Sequence, residues 1–380
     1  MKTDNKDLKK NRVIEKAGSI LLEISRVLLG GVFVFSGFVK AIDPLGSTYK
    51  FDDYFRAFSG IFESFTAISF PLAIFLSTLE LIIGLNLIFK VHIRITNIAA
   101  LLFMLVMTLL TLFIALKKNL VTDCGCFGDA LVISNWATFY KNLVLIALVA
   151  LLLIYQNRTI PYFTKKIQHV ALILFAVIGV GLSVYCYRHL PLIDFRPYKL
   201  GVNIANAMAV PEDAPSDVYE TTFIYEKDGL QKVFTLENYP KGDSTWKFVD
   251  QKSILVTEGF KAPIHNFSIV DAQYNDITES VIYDSGSTYL LVMYDLEKTS
   301  QKGAIKAEQK YQEALLNGTK FYALTASSDD DIQNFKEKTG VSYPFCKTDP
   351  ITLKTIIRAN PGLVLIKNGT ITGKWNWRNY

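Results

Sequence analysis

The chain has 380 residues, half of them hydrophobic and only a fifth charged, with a formal net charge of +5. It is too apolar for one soluble domain and too charged for a purely membrane-embedded one, and its length leaves room for two or three domains. The modest charge, without a basic stripe interleaved with aromatics, argues against nucleic acid as a partner, and four cysteines are too few for a disulfide scaffold.

Residues 1–16 are polar and lysine-rich (Lys2, Lys6, Lys9, Lys10, Arg12, Lys16), as a cytoplasmic flank would be. Five apolar runs come next, near 19–39, 69–89, 96–116, 138–155 and 168–187. Each approaches the roughly 20 residues that a helix needs to cross the hydrocarbon. The first is too long for a signal-peptide core and lacks a small-residue cleavage site, so it is expected to remain as a transmembrane helix. Basic residues gather at the N-terminal flank, at 90–94 and at 158–166, which places those stretches in the cytoplasm. With an odd number of crossings, the loops 40–68 and 117–137 and everything after 188 then face outward. The expectation is an integral cytoplasmic (inner) membrane protein in a lipid bilayer, its N-terminus inside and its C-terminal domain extracytoplasmic.

Small residues in the first run (Gly30, Gly31, Ser36, Gly37) suit close helix packing. Residues 45–68 alternate aromatic and charged side chains, the pattern of an amphipathic segment lying at the interface. Glu80, near the middle of the second run, needs a partner at that depth, and Arg26 is expected to supply it, with Asn86 close by on the Glu80 helix. A buried ion pair fixing helix register is preferred over a proton or quinone site.

Between the third and fourth runs lies DCGCFGD (123–129). Cys124 and Cys126 stand one residue apart in a short outward-facing loop, so thiol redox chemistry, metal capture or simple packing of a tight turn are all open to them. Redox use is carried forward, with no metal site. Cys186, at the outer end of the fifth run, is an interfacial packing residue or an auxiliary thiol.

The outer half begins with RHLPLIDFRPYKLG, a stiff exit segment, and a hairpin over 220–236 turning at Asp228-Gly229. From 258 strands and helices alternate: strand 289–294, helix 304–316, strand 321–326, helix 329–339, helix 350–358, strand 362–366, and after Asn368-Gly369 a strand over 370–375. That order predicts an α/β sandwich. Cys346 is its one thiol, either a core residue or a displaced redox cysteine.

Two resemblances emerge. RVLLGGVFVFSGFVKAIDPLGS (26–47), the later CGCFG (124–128) and Glu80 in the second helix resemble the DoxX and MauE-type membrane proteins over roughly residues 17–155. The resemblance implies a four-helix bundle related in architecture to vitamin K epoxide reductase, and a role in extracytoplasmic disulfide chemistry. The quinone-linked reductases carry CxxC where this chain has CxC, so the electron acceptor stays open, with a quinone among the candidates. In the outer half, GFKAPIHNFSIVD (259–271) and ANPGLVLIKNG (359–369) resemble the entry strand and the proline loop of membrane-tethered thioredoxin-like proteins. There the residue matching Pro361 is cis and lies against the catalytic dithiol, so Asn360 and Pro361 are expected to shape a substrate groove. The family's CxxC should come after the strand ending at Tyr294, but the chain reads DLEKTSQKG (295–303), without cysteine.

The expected organisation is a cytoplasmic flank (1–16), a DoxX/MauE-like bundle (17–156), a fifth helix as tether (157–187), a β-rich linker (188–257) and a thioredoxin-like domain (258–380). The expected activity is thiol–disulfide exchange through Cys124 and Cys126 on an extracytoplasmic client protein bearing thiols or disulfides. The other reading is a non-enzymatic membrane scaffold or binding protein.

Overall fold

A computed structural model of the chain describes residues 3–58, 60–117, 124–257 and 259–380. The basic side chains of the N-terminal flank up to Arg12, Asp123 beside the cysteine loop, and residue 258 lie outside the described residues.

The chain opens with a long helix, α1 (Thr3–Ile42), which stops where Asp43-Pro44 starts α2 (Pro44–Phe58). Local chemistry makes the junction. Proline suits the first position of a helix, and the Asp43 carboxylate accepts the Gly46 N–H at 2.9 Å, capping the new helix. A 3-10 segment, Gly60–Ile68, leads into α3 (Ser69–Phe89), after which come α4 (Ile93–Leu116), α5 (Asn135–Ile154) and α6 (Lys165–Arg188). Five segments are long and apolar enough to cross a membrane: Gly18–Ile42, Gly60–Phe89, Ile93–Leu116, Asn135–Ile154 and Lys165–Arg188. Exposed aliphatic side chains such as Ile95, Val106, Leu109 and Val144 stud their outer faces, which water would not favour and lipid would.

The register of α1 against α3 is set by glycine. A Cβ on Gly37 would lie 2.8 Å from the Ser77 carbonyl, and one on Gly84 2.5 Å from the Val34 nitrogen. The two backbones therefore meet closely, as small residues allow between membrane helices. This antiparallel register corrects the expected partner of Glu80. Lys40, not Arg26, reaches it, with Nζ 2.6 Å from Glu80 Oε1. Arg26 lies 14 residues earlier, about 21 Å along the helix axis at 1.5 Å per residue. It faces the other end of α3, where it donates to the Leu87 and Ile88 carbonyls and pairs with Glu23. Glu23 also holds Lys90 at 2.7 Å. The expected tether, α6, is packed into the bundle: Gly179 lies against Thr78, and the Phe70 and Tyr187 rings are 4.7 Å apart.

After α6 the chain makes a short helix, α7 (Ile204–Met208), and then β1 (Val218–Lys227), β2 (Leu230–Thr235) and β3 (Lys247–Thr257), a three-stranded antiparallel sheet in the order β2-β1-β3. Asp228 and Gly229 both take positive φ, 52° and 78°, as a two-residue hairpin turn requires. β3 was not foreseen: it is exposed along its whole length and so lacks the in–out alternation that marks a strand.

The last part holds α8 (Thr278–Ile282), β4 (Ser287–Val292), α9 (Gln301–Leu316), β5 (Lys320–Thr325), α10 (Asp329–Thr339), β6 (Phe345–Lys347), α11 (Pro350–Ile356), β7 (Gly362–Lys367) and β8 (Thr370–Asn376). The sheet order is β6-β5-β4-β7-β8, with β4, β5 and β6 parallel and β7 and β8 antiparallel. Apolar layers cover both faces, one around Ile269, Leu290 and Val364, the other around Met293, Phe321 and Tyr343. Tyr198 and Ile204 from the exit segment belong to the first layer, held there as Gly201 and Ile204 donate to the Ile371 and Gly369 carbonyls, each at 2.8 Å. The Asn360–Pro361 peptide bond is cis.

Candidate functional site

Cys124 and Cys126 flank a turn that only glycine makes without strain. Gly125 has φ +61°, Gly128 has φ +52°, and the Gly128 N–H donates to the Gly125 carbonyl at 3.1 Å. The left-handed residue between them folds both thiols to one side, leaving their sulfurs 3.2 Å apart. The turn is held from two directions. The Tyr54 hydroxyl on α2 donates to the Cys124 carbonyl at 2.6 Å, and the Ser36 hydroxyl on α1 to the Cys126 carbonyl at 2.8 Å. The Lys50 stem lies against Gly125. Under this cover Cys124 is only 5% and Cys126 8% exposed.

Two ammonium groups approach the thiols. Lys40 donates to Ser36 Oγ at 3.0 Å while pairing with Glu80. Lys141, on α5, stacks over the Phe127 ring at 4.3 Å. The thiols consequently part in acidity. The hydrogen bond from Cys124 lowers Cys126 most; Lys141 and Lys40 add to this, against burial and Glu80. The same hydrogen bond, with burial, pushes Cys124 the other way, up.

Beneath the turn is a cavity of about 30 Å³, lined by Ser36, Lys40, Glu80, Cys126, Lys141 and Asn142 on its polar side and by Phe33, Met104 and Leu145 among others on its apolar side. An engineered cavity that binds benzene is about 150 Å³, several times this one. Among the described residues no three His, Cys, Asp or Glu side chains gather as a metal site would need.

The sheet-containing part sits directly over this turn. Arg358, between α11 and the Asn360–Pro361 bond, places Nε 2.9 Å from Asp43 and Nη2 2.9 Å from Asp129, the carboxylates on either side of the cysteine turn. The Tyr49 ring on α2 meets Tyr294 at 6.1 Å and lies beneath Lys354 at 4.8 Å. Asn360 and Pro361, the expected groove residues, lie in the loop after α11, joined by a cis peptide bond. Asn360 donates its side-chain amide to the Asp295 carbonyl at 2.8 Å and accepts from the Thr299 hydroxyl at 2.8 Å. Cys186 is buried at the end of α6. Cys346 is a core residue of β6 whose thiol is pushed up to about 11 by burial. All four thiols are unpaired.

Sequence reasoning missed Lys40, Lys141, Ser36, Tyr54 and Arg358. Lys141 was the most legible of them, a lone cation near the start of an otherwise apolar helix. Lys40 sits where an interfacial lysine would snorkel, and only the α1–α3 register turns it inward.

Residues 18–155 match the family model described as methylamine utilisation protein MauE, and residues 219–258 match a domain of unknown function, DUF8463. The bundle up to the end of α5, with the cysteine turn, is thus what resembles MauE, while the exposed three-stranded sheet forms the second match. Among solved structures, the chain is similar to the solution structure of a proposed protein disulfide isomerase from Bacteroides thetaiotaomicron. Identity is 18%, covering 30% of this chain and 76% of that one, with a TM-score of 0.26. No curated protein matches the chain significantly.

Proposed function

We propose that this is an integral membrane protein of extracytoplasmic thiol–disulfide exchange, in which Cys126 attacks and Cys124 resolves. The observation that carries this reading is the thiol pair at 3.2 Å with Lys40 and Lys141 beside it. Cys126, as thiolate, attacks one sulfur of a client disulfide, and the other client sulfur leaves with the bonding electrons and takes a proton. Cys124 then gives up its proton and attacks the Cys126 sulfur. The client departs reduced and the Cys124–Cys126 disulfide forms, the sulfurs closing from 3.2 Å to the roughly 2.05 Å of a bond. Run backwards, the same steps oxidise a client dithiol.

The outer part is a thioredoxin-like domain without its own dithiol. Supporting this are the sheet order β6-β5-β4-β7-β8 and the cis Asn360–Pro361 loop lying against the cysteine-free segment 295–300. Its place over the cysteine turn suits a cap that admits or presents clients. The N-terminus lies inside and the C-terminal domain outside the cytoplasmic membrane, where disulfides persist. The scaffold reading draws support from the low exposure of both sulfurs.

Trapping separates the two. Cys124→Ser removes the resolver and should accumulate a mixed disulfide on Cys126, while Cys126→Ser should accumulate none. A protein whose thiols never leave the reduced state in cells, in wild type or either variant, is a scaffold.

A further inference from the structure

The Lys40–Glu80 pair shares a cavity with Cys126. Glu80 is 2% exposed, and only Oε1 is occupied, by Lys40. Oε2 is buried with no hydrogen-bond partner among the described residues. An unpaired carboxylate oxygen in such a place is costly, and Glu80 lines the same cavity as Cys126. The cavity's volume of about 30 Å³ exceeds the ~10–15 Å³ that one water needs, and its polar side offers several partners. Ser36 ties the two halves together, accepting from Lys40 and donating to the Cys126 carbonyl.

We propose that Glu80 is the proton acceptor and donor for Cys126, acting through one water in this cavity, with Lys40 holding the carboxylate in place. This rests on the thiol-exchange reading. In the first step the Cys126 thiol proton passes to Glu80, giving the thiolate and the neutral acid while Lys40 stays charged. The thiolate attacks the client disulfide, and Glu80 returns the proton to the departing client thiolate. The Cys124 proton takes the same route when Cys124 attacks the Cys126 sulfur and the second client thiolate leaves. Two electrons pass from the dithiol to the client disulfide and two protons accompany them. Among the described residues, the charged and titratable groups around Cys126 are Lys40 from α1, Lys50 and Tyr54 from α2, Glu80 from α3, Lys141 from α5 and Cys124 from the turn itself, and α4 contributes Met104 and Met107 to the cavity.

The test uses the full chain in detergent or vesicles with bis(2-hydroxyethyl) disulfide, a small neutral probe whose leaving thiol needs a proton. Two quantities are read: the pH midpoint of Cys126 alkylation, and the single-turnover rate of probe reduction at neutral pH. In Glu80→Gln the loss of a negative charge beside Cys126 should move the alkylation midpoint to lower pH. Probe reduction should nevertheless slow at least tenfold, within the range of general acid–base contributions. A purely structural ion pair gives no such opposed pair of effects. Glu80→Asp should recover part of the rate. Should Glu80→Gln fold poorly, Lys40→Met/Glu80→Gln removes both charges together and should still reduce the probe slowly. An unchanged rate in either Gln variant, or an alkylation midpoint that does not move in Glu80→Gln, overturns the assignment. A wild-type protein that alkylates at Cys126 yet never reduces the probe removes the exchange reading itself, and the relay with it.

Discussion

At the scale of single residues, the proposed division of labour between the two cysteines rests on their one-residue spacing around a left-handed glycine. Because the hydrogen bond with Cys124 is what most lowers Cys126, Cys124→Ala, which leaves no donor there, should remove that effect. A Cys126 with a lowered pKa is thiolate above that value and thiol below it. Its alkylation should therefore be half-maximal below the ordinary thiol range near 8.5 in wild type, and at higher pH in Cys124→Ala. A midpoint unchanged by the substitution would show the sulfurs to be independent. Gly125→Ala tests the turn itself. Its φ of +61° strains any Cβ, a cost on the order of 1 kcal/mol, and the readout is slower closure of the Cys124–Cys126 disulfide under a mild oxidant.

At the scale of elements, the site is made by how closely α1 approaches α3. Gly37 and Gly84 have no room for side chains because the atoms facing them are backbone, so a larger residue must push the helices apart. Gly84→Val should cost about 1–3 kcal/mol as overpacking and separate Lys40 from Glu80. The thermal midpoint in detergent should fall and the pH profile of Cys126 alkylation should change with it. Gly31→Val, where nothing lies within 4 Å of the new Cβ, is the matched control and should leave both as they are. The helix α2 matters in a different way. It is capped by Asp43, the same carboxylate that receives Arg358, so the element covering the thiols starts from the residue that anchors the outer domain.

At the scale of the whole molecule, Arg358 joins the two halves across the cysteine turn. Its side chain is 8% exposed, while those of its partners Asp43 and Asp129 are 19% and 43% exposed. A fully buried pair loses about 3–5 kcal/mol when one partner is removed, and the water that reaches Asp129 brings the cost here below that. Arg358→Met should leave the bundle and the outer sheet folded, loosen their contact, and speed modification of Cys124 and Cys126 by a membrane-impermeant maleimide. An unchanged rate would mean that the outer domain does not govern access to the thiols. The proposed orientation has its own check. A reporter active only outside the cytoplasm should work after residue 380 and fail when inserted after residue 92, and the reverse would place the thiols in a reducing compartment.

The sequence by itself determined the features that composition and local pattern control. Five apolar runs define five candidate spans, Asp228-Gly229 a hairpin turn, Pro350 and Asn368-Gly369 the punctuation of the last helix and hairpin, and CGC a thiol pair with a flexible residue between. Each depends on residues adjacent in the chain. Tertiary structure alone decided who meets whom. Glu80 finds Lys40 rather than Arg26 because backbone contact at Gly37 and Gly84 fixes the slide of one helix along the other, which hydropathy does not encode. β3 forms because β1 offers it hydrogen bonds, not because its side chains alternate. Arg358 lies 229 residues from Asp129 in sequence and 2.9 Å from it in space, a pairing that no local pattern encodes.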